Sequence, residues 1–292
     1  MATIATFAYE GTYDPDVSVK KIRAGIEEAA QVGADLVVFP ETALQGYPAA
    51  MSRGDEPRVL KSVYEVAEPL DGPRVTELTG AARELGVHVI FGLTERAAQP
   101  GVVYNTTVLA GPEGLIGTYR KVHVAIGEQV IWARGRDWPV YDTPIGRIGM
   151  LICYDQAWPE SCRELTLRGA DILVMSTAWS LRPDEASPSE ALSVEQYLLY
   201  GKVRATENQR WFISSNFTGP LGDLTFFGNS QVIDPLGRVV AESGMKPAQS
   251  MVLAEIDVRG GIEAAQARSK GHRLWRDRRP ETYTHLTAPA EV

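Results

Sequence analysis

The feature that most constrains this chain is an internal echo. Gly33-Ala34-Asp35-Leu36-Val37-Val38-Phe39 recurs as Gly169-Ala170-Asp171-Ile172-Leu173-Val174-Met175, 136 positions later. Asn105-Thr106-Thr107-Val108-Leu109-Ala110-Gly111-Pro112 is echoed, in the same order along the chain, by Asn229-Ser230-Gln231-Val232-Ile233-Asp234-Pro235. A single Gly-Ala-Asp before an apolar run is an ordinary helix-to-strand turn. Two echoes in order favour two equivalent halves, each a helix-then-strand unit followed by a hairpin. The expected fold class is α/β, a four-layer αββα sandwich with an internal pseudo-two-fold.

The local pattern agrees. Ile4 to Ala8 reads as a strand, and Asp14 to Val32 as a helix with Ile22, Ile26, Ala29 and Ala30 on one face. Gly33 stops it before the all-apolar strand Leu36 to Phe39. Pro73 opens a helix to Leu85, Gly86 closes it, and Val87 to Gly92 is the next strand. Thr106 to Ala110 and Leu115 to Tyr119 form a hairpin around Gly111-Pro112-Glu113-Gly114. Arg147 to Ile152 is an apolar strand running into Cys153, and Pro159 to Arg168 is a helix. No linker divides the halves, so 1–258 reads as one domain. Residues 259–292, with six arginines and no apolar periodicity, read as a tail associated with an oligomer partner.

Composition excludes several functions. With 29 Lys plus Arg against 37 Asp plus Glu, the charge is −8, which argues against a sequence-independent grip on nucleic acid. No apolar stretch approaches the roughly 20 residues that span a bilayer, and Met1 to Tyr9 has neither a basic region nor a cleavage site. Two cysteines, Cys153 and Cys162, cannot frame a disulfide scaffold, so a cytoplasmic location is expected. His88, His123, His272 and His285 show no metal-ligand spacing, which disfavours a zinc site and a metallohydrolase. Phosphate-cradling glycine loops are absent, and no cofactor is expected.

Three reactive side chains directly follow apolar strands, where α/β folds present catalytic groups: Glu41, Lys121 and Cys153. Together they suit acyl transfer. A thiolate attacks a carbonyl, an ammonium stabilises thiolate and oxyanion, and a carboxylate moves protons. Cys162 lies inside a helix and reads as a small buried hydrophobe. Trp132 and Trp138 read as packing groups. Trp179 follows the second echo strand and could line a pocket. His123 reads as structural, because two residues beyond Lys121 on a strand it would point to the opposite face.

Phe39-Pro40-Glu41, Tyr119-Arg120-Lys121-Val122-His123 and Gly149-Met150-Leu151-Ile152-Cys153-Tyr154-Asp155 resemble the three signature segments of the nitrilase superfamily of carbon–nitrogen hydrolases. Gly46-Tyr47-Pro48, Pro159-Glu160, Arg204-Ala205-Thr206-Glu207-Asn208 and Gly228-Asn229-Ser230 also resemble that family. The resemblance spans Ile4 to Asp257 and itself implies the αββα sandwich. It implies that Cys153 is the nucleophile, Glu41 the general base and acid, and Lys121 an oxyanion stabiliser. The Tyr154 N–H would be a second oxyanion donor, with Tyr47 and Trp179 beside the substrate. Glu128 stands where the family often carries a second glutamate, which near Glu41 would raise one carboxyl pKa. The family also implies a homo-oligomer, at least a dimer stacked through helices of the second half.

Cys153-Tyr154-Asp155 resembles amidases, whereas the segments from Glu128 to Trp132 and Pro139 to Pro144 resemble nitrilases. The expected activity is hydrolysis of a small carboxamide to carboxylate and ammonia through a thioester. The alternatives are an N-carbamoyl amino acid or amine hydrolase, for which Arg182, Arg204 and Arg210 are available as carboxylate clamps, and a nitrilase. A non-catalytic homologue is disfavoured because Glu41, Lys121 and Cys153 are all present.

Overall fold

Asp14 caps the first helix, its carboxylate accepting the N–H groups of Asp16 and Val17, and Pro15 supplies a pre-set first turn. The same Pro opening starts two further helices, at Pro73 and Pro159. The computed structural model describes residues 1–48, 56–125, 127–286 and 288; Pro289 and the end of the tail lie outside the described residues.

The first half contains β1 (Ala2–Ala8), α1 (Pro15–Gln31), β2 (Leu36–Val38), α2 (Glu56–Val66), α3 (Pro73–Leu85), β3 (His88–Arg96), β4 (Val103–Gly111) and β5 (Gly114–Arg120). The second contains β6 (Val140–Thr143), β7 (Gly146–Ile152), α4 (Pro159–Leu167), β8 (Ile172–Thr177), α5 (Leu192–Asn208), β9 (Trp211–Asn216), β10 (Thr218–Leu221) and β11 (Leu224–Phe227). It closes with β12 (Gln231–Ile233), β13 (Val239–Glu242), β14 (Ser250–Ile256) and α6 (Val258–Arg268).

The echo is a true structural repeat. One six-stranded sheet runs β14-β1-β2-β3-β4-β5 and the other β13-β12-β9-β8-β7-β6. In each, three parallel strands are followed by an antiparallel hairpin: β1, β2, β3 then β4 and β5; β7, β8, β9 then β12 and β13. The echoed segments form β2 and β8, at equivalent positions.

The apolar clusters define four layers. Ile4, Leu36, Val38 and Ile90 meet Met150, Ile152, Val174 and Ile213 between the sheets. Phe7, Val37 and Phe39 face Ile22, Ile26 and Leu78 of α1 and α3, and Leu151, Leu173 and Phe212 face α4 and α5. Each central strand is therefore buried on both faces, which is why β2 and β8 read as unbroken apolar runs. Each fully buried Val, Leu, Ile or Phe contributes about 1.5–3 kcal/mol. Hydroxyls also join the sheets: Thr6 donates to the Ser214 carbonyl, Ser215 and Ser230 to that of Phe7, and Ser176 to that of Phe39.

Two expectations need correction. The third strand does not stop at Gly92 but continues to Arg96. Gly92 is there because a Cβ would come within 2.3 Å of the Thr42 nitrogen and 2.5 Å of the Pro40 oxygen. A glycine that looked like a strand end is the seat of the turn carrying Glu41. The region after 258 is not free of an apolar face: α6 caps on Asp257 and buries Ile262 and Ala265. The boundary at 258/259 therefore falls at the start of a helix that packs on the second sheet. Gly260 and Gly261 masked this helix. Gly261 has no side chain because a Cβ would meet the Trp211 ring at 2.6 Å.

Candidate active site

The ends of β2, β5 and β7 deliver the three reactive residues, and a short 3-10 turn (Glu128–Val130) delivers the fourth. After β2 the chain turns sharply: the Gly92 N–H donates to the Pro40 carbonyl at 3.0 Å and the Leu44 N–H to the Gly92 carbonyl at 3.1 Å. This pins Glu41 in the interior with no exposed surface. Lys121, also fully buried, is the first residue past β5. Its backbone is clamped on both sides, donating to the Asn105 carbonyl at 2.9 Å and accepting the Gly135 N–H at 2.7 Å.

Lys121 Nζ lies 2.7 Å from Glu41 Oε1 and 2.9 Å from Glu128 Oε1. Glu41 Oε1 also accepts Asn105 Nδ2 at 2.6 Å, and Oε2 accepts the Ala178 N–H at 2.8 Å. Glu128 is held by the Tyr47 hydroxyl at 2.6 Å and the Ala125 N–H at 2.8 Å. The site thus packs one ammonium between two carboxylates.

Cys153 follows β7 with φ of 45° and opens a 3-10 turn (Cys153–Ala157), so its half-buried thiol leaves the strand direction abruptly. Burial pushes the thiol pKa up, and so do Glu41 and Glu128, while Lys121 and the neighbouring Thr177 hydroxyl pull it down. Glu41 is likewise raised, first by burial and then by Glu128, against the opposing pull of Lys121. Burial alone would lower Lys121, yet Glu128, Glu41 and Cys153 together hold it well above the usual lysine range. The lysine therefore keeps its proton, and the resting cysteine is a thiol needing a base. Burial, rather than the like-charge repulsion anticipated from sequence, is the largest influence on Glu41.

The remaining candidates surround this core. Tyr47 bridges to Glu128 and packs on Trp132, with ring centroids 5.9 Å apart. Tyr154 follows Cys153 and stands edge-on to Trp158 at 5.9 Å. Trp179, directly after the Ala178 that binds Glu41, packs on Tyr197 at 5.8 Å and Tyr200 at 6.3 Å. Trp138 stacks on Tyr119, as a packing group. His123 is structural, but not for the strand-face reason: β5 has ended at Arg120, and the imidazole lies 2.9 Å from the Asp155 carboxylate in a loop.

Two of the three arginines open to a clamp role are committed elsewhere. Arg204 is buried and donates to the carbonyls of Gln156 and Ala157 and to Glu207. Arg210 is buried against the Ala170 and Gln209 carbonyls. Arg182 remains exposed. Asn105, the Ala178 N–H and Asp155 were not singled out from sequence. Asn105 opens the second echo, and that position was its only signal. Among the described residues no group of three His, Cys, Asp or Glu is arranged to hold a metal ion. The cavity of about 440 Å³ lined by Tyr13, Gln45, Pro48, Val63 and Val66 includes none of the four central residues.

Two sheets sandwiched between helices, with a cysteine, a lysine and two carboxylates at their strand ends, define a hydrolase of the nitrilase type. The chain belongs to the carbon–nitrogen hydrolase family, whose model matches residues 3–266. It is 31% identical to the 2-oxoglutaramate amidase of Bacillus subtilis (strain 168), covering 91% of this chain and 94% of that protein. It is 30% identical to a nitrilase of Pyrococcus abyssi (strain GE5 / Orsay), covering 84% and 85%. The crystal structure of a carbon–nitrogen hydrolase from Helicobacter pylori G27 superimposes with a TM-score of 0.85 over 99% of this chain and 98% of that one, at 22% identity. The resemblance carried by the three sequence segments thus holds for family and fold, and the relatives include both amidases and nitrilases.

Proposed function

We propose that this hydrolase is a cysteine-dependent amidase that converts a small carboxamide to its carboxylate and ammonia. The observation carrying the reading is the buried Lys121 bridging Glu41 and Glu128 beside Cys153. Glu41 takes the thiol proton as sulfur attacks the carbonyl carbon, and the C=O pair moves to oxygen. That oxyanion rests on Lys121 and the Tyr154 N–H. The pair returns, the C–N bond breaks, and the nitrogen leaves as ammonia with the proton from Glu41. Water, losing a proton to Glu41, then attacks the thioester and releases acid and free thiol. Glu128 tunes Glu41 and holds Lys121. Tyr47 and Trp179 border the substrate.

The commitment of Arg204 and Arg210 to backbone carbonyls removes two clamps that an N-carbamoyl amino acid hydrolase would need. Ammonia release from a panel of amides, N-carbamoyl amino acids and nitriles tests the proposal. Amides should lead; faster turnover of either other class would overturn it.

We also propose a homo-oligomer formed through α5. Leu192, Leu199 and Val203 make an exposed apolar stripe on that helix. The tail adds exposed Leu274 and Tyr283. The absence of disulfides fits a reducing, cytoplasmic setting.

A further inference from the structure

Asn105 lies in β4 with its side chain fully buried, and its Nδ2 reaches the same oxygen of Glu41 that Lys121 reaches. A carboxylate oxygen offers two lone-pair positions. Asn105 at 2.6 Å and Lys121 at 2.7 Å therefore fill Oε1. Oε2 receives one donor among the described residues, the Ala178 N–H at 2.8 Å, and keeps one position open. Ala178 directly follows Thr177, the residue whose hydroxyl neighbours the Cys153 thiol. The open position thus belongs to the carboxylate oxygen held by the chain that borders the nucleophile.

We propose that Asn105 is a positioning residue that makes Oε2 of Glu41, and not Oε1, the atom that accepts and returns the proton. This deepens the amidase reading and rests on Glu41 being its base. The terminal torsion of a glutamate is broad, and a single donor on Oε1 would let the carboxylate swing. Two donors on one edge fix its plane. The S–H bond then breaks toward Oε2 while the sulfur pair forms the S–C bond, and the same Oε2 proton passes to nitrogen as the C–N bond breaks.

A second observation separates positioning from packing. Asn105 Oδ1 is buried and has no hydrogen-bond partner among the described residues. A buried acceptor left unpaired costs stability, so leucine, of similar size and lacking that acceptor, should keep the packing at this position, and the loss it brings is the donor taken from Glu41.

Asn105→Leu and Asn105→Ala in the full chain test this, using the best amide from the panel. In Asn105→Leu, Tm at neutral pH should fall by no more than the loss of one hydrogen bond to Glu41 explains, while kcat falls on the order of 100-fold with little change in KM. The acid limb of the kcat/KM profile should move to higher pH, because ionised Glu41 has lost a donor. Iodoacetamide should alkylate Cys153 more slowly than in the unmodified protein. Full activity with an unmoved acid limb in both variants overturns the inference and leaves the amidase reading standing. Activity lost only in proportion to lost Tm in both variants also overturns it, since that marks a packing role. An unmodified protein that releases no ammonia from any amide and alkylates Cys153 no faster than Cys162 overturns both.

Discussion

Asp155 Oδ2 accepts the backbone N–H of Ile152 at 2.9 Å, so a carboxylate two residues past Cys153 reaches back to hold the residue before it. The same carboxylate accepts the Tyr119 hydroxyl at 2.7 Å and the His123 N–H at 2.9 Å. It therefore ties the Cys153 turn to both sides of Lys121. A non-glycine residue at positive φ costs about 1–2 kcal/mol, and this bracket holds Cys153, at φ of 45°, against that cost. Asp155→Ala should lower stability by roughly 3 kcal/mol or more, since charge-assisted bonds are worth about 1.5–3 kcal/mol each. Urea unfolding measures the loss. The kcat should fall on the order of 100-fold through displaced Cys153 and Lys121.

Cys153→Ala should abolish turnover, by several orders of magnitude, because no thioester forms without sulfur. Its Tm should stay close to that of the unmodified protein, since the half-buried thiol is in no disulfide and its loss removes a single sulfur atom. Residual activity in this variant, with Cys162 intact, would reassign the nucleophile. Mass spectrometry after iodoacetamide should show Cys153 modified well before the fully buried Cys162.

The raised pKa of Glu41 fixes the sign of the acid limb. In the proposed mechanism Glu41 must be ionised to take the proton, so kcat/KM should fall as pH drops through a value above the ordinary glutamate value of about 4.3. Glu128→Gln removes a negative neighbour that raises Glu41, so the limb should move to lower pH while part of the activity survives. Glu41→Gln should lose more. A pH–rate series on the three proteins checks the order, and the reverse ranking would exchange the two glutamates' roles.

Lys121→Met keeps length but deletes the only cation that, among the described residues, pairs with Glu41 and Glu128. Breaking a buried pair by removing one partner costs about 3–5 kcal/mol. The variant should be inactive and markedly less stable at neutral pH, and should recover stability as acid protonates the carboxylates. Thermal melts across pH report the crossover; a pH-independent deficit would mean that lost packing, rather than stranded charge, is responsible.

Light scattering should give a mass above the 31.9 kDa of one chain. Leu199→Glu, in the exposed stripe of α5, should lower that mass. A monomer at micromolar concentration refutes the assembly, and an unchanged mass in the variant places the interface elsewhere.

Much of this was legible in the sequence because it is local. Asp14, Pro15 and Gly33 bound a helix by their own backbone chemistry, and two-sided burial makes β2 and β8 apolar throughout. The echo revealed the two halves, and Glu41, Lys121 and Cys153 could be picked out by their place after strands. Local signals failed where a residue answers to something distant in sequence. Gly92 resembled a strand end because the Glu41 turn it seats comes from another strand, and Gly261 concealed α6 because its reason is the Trp211 ring.

The sequence by itself determined the alternation of strand and helix, the repeat and which residues are candidates for chemistry, since periodicity, capping and strand ends depend on neighbours within a few positions. Only the tertiary structure decided what those residues do to one another. Lys121 is 80 positions from Glu41 yet 2.7 Å away, and that closeness makes the lysine hold its proton and opposes the rise that burial and Glu128 impose on the glutamate. Asn105, 64 positions from Glu41, became a partner through the pairing of β4 with β5, and Arg204 ceased to be a clamp by turning onto the carbonyls of Gln156 and Ala157. Electrostatic strength depends on distance and on the exclusion of water, and both are properties of the folded chain.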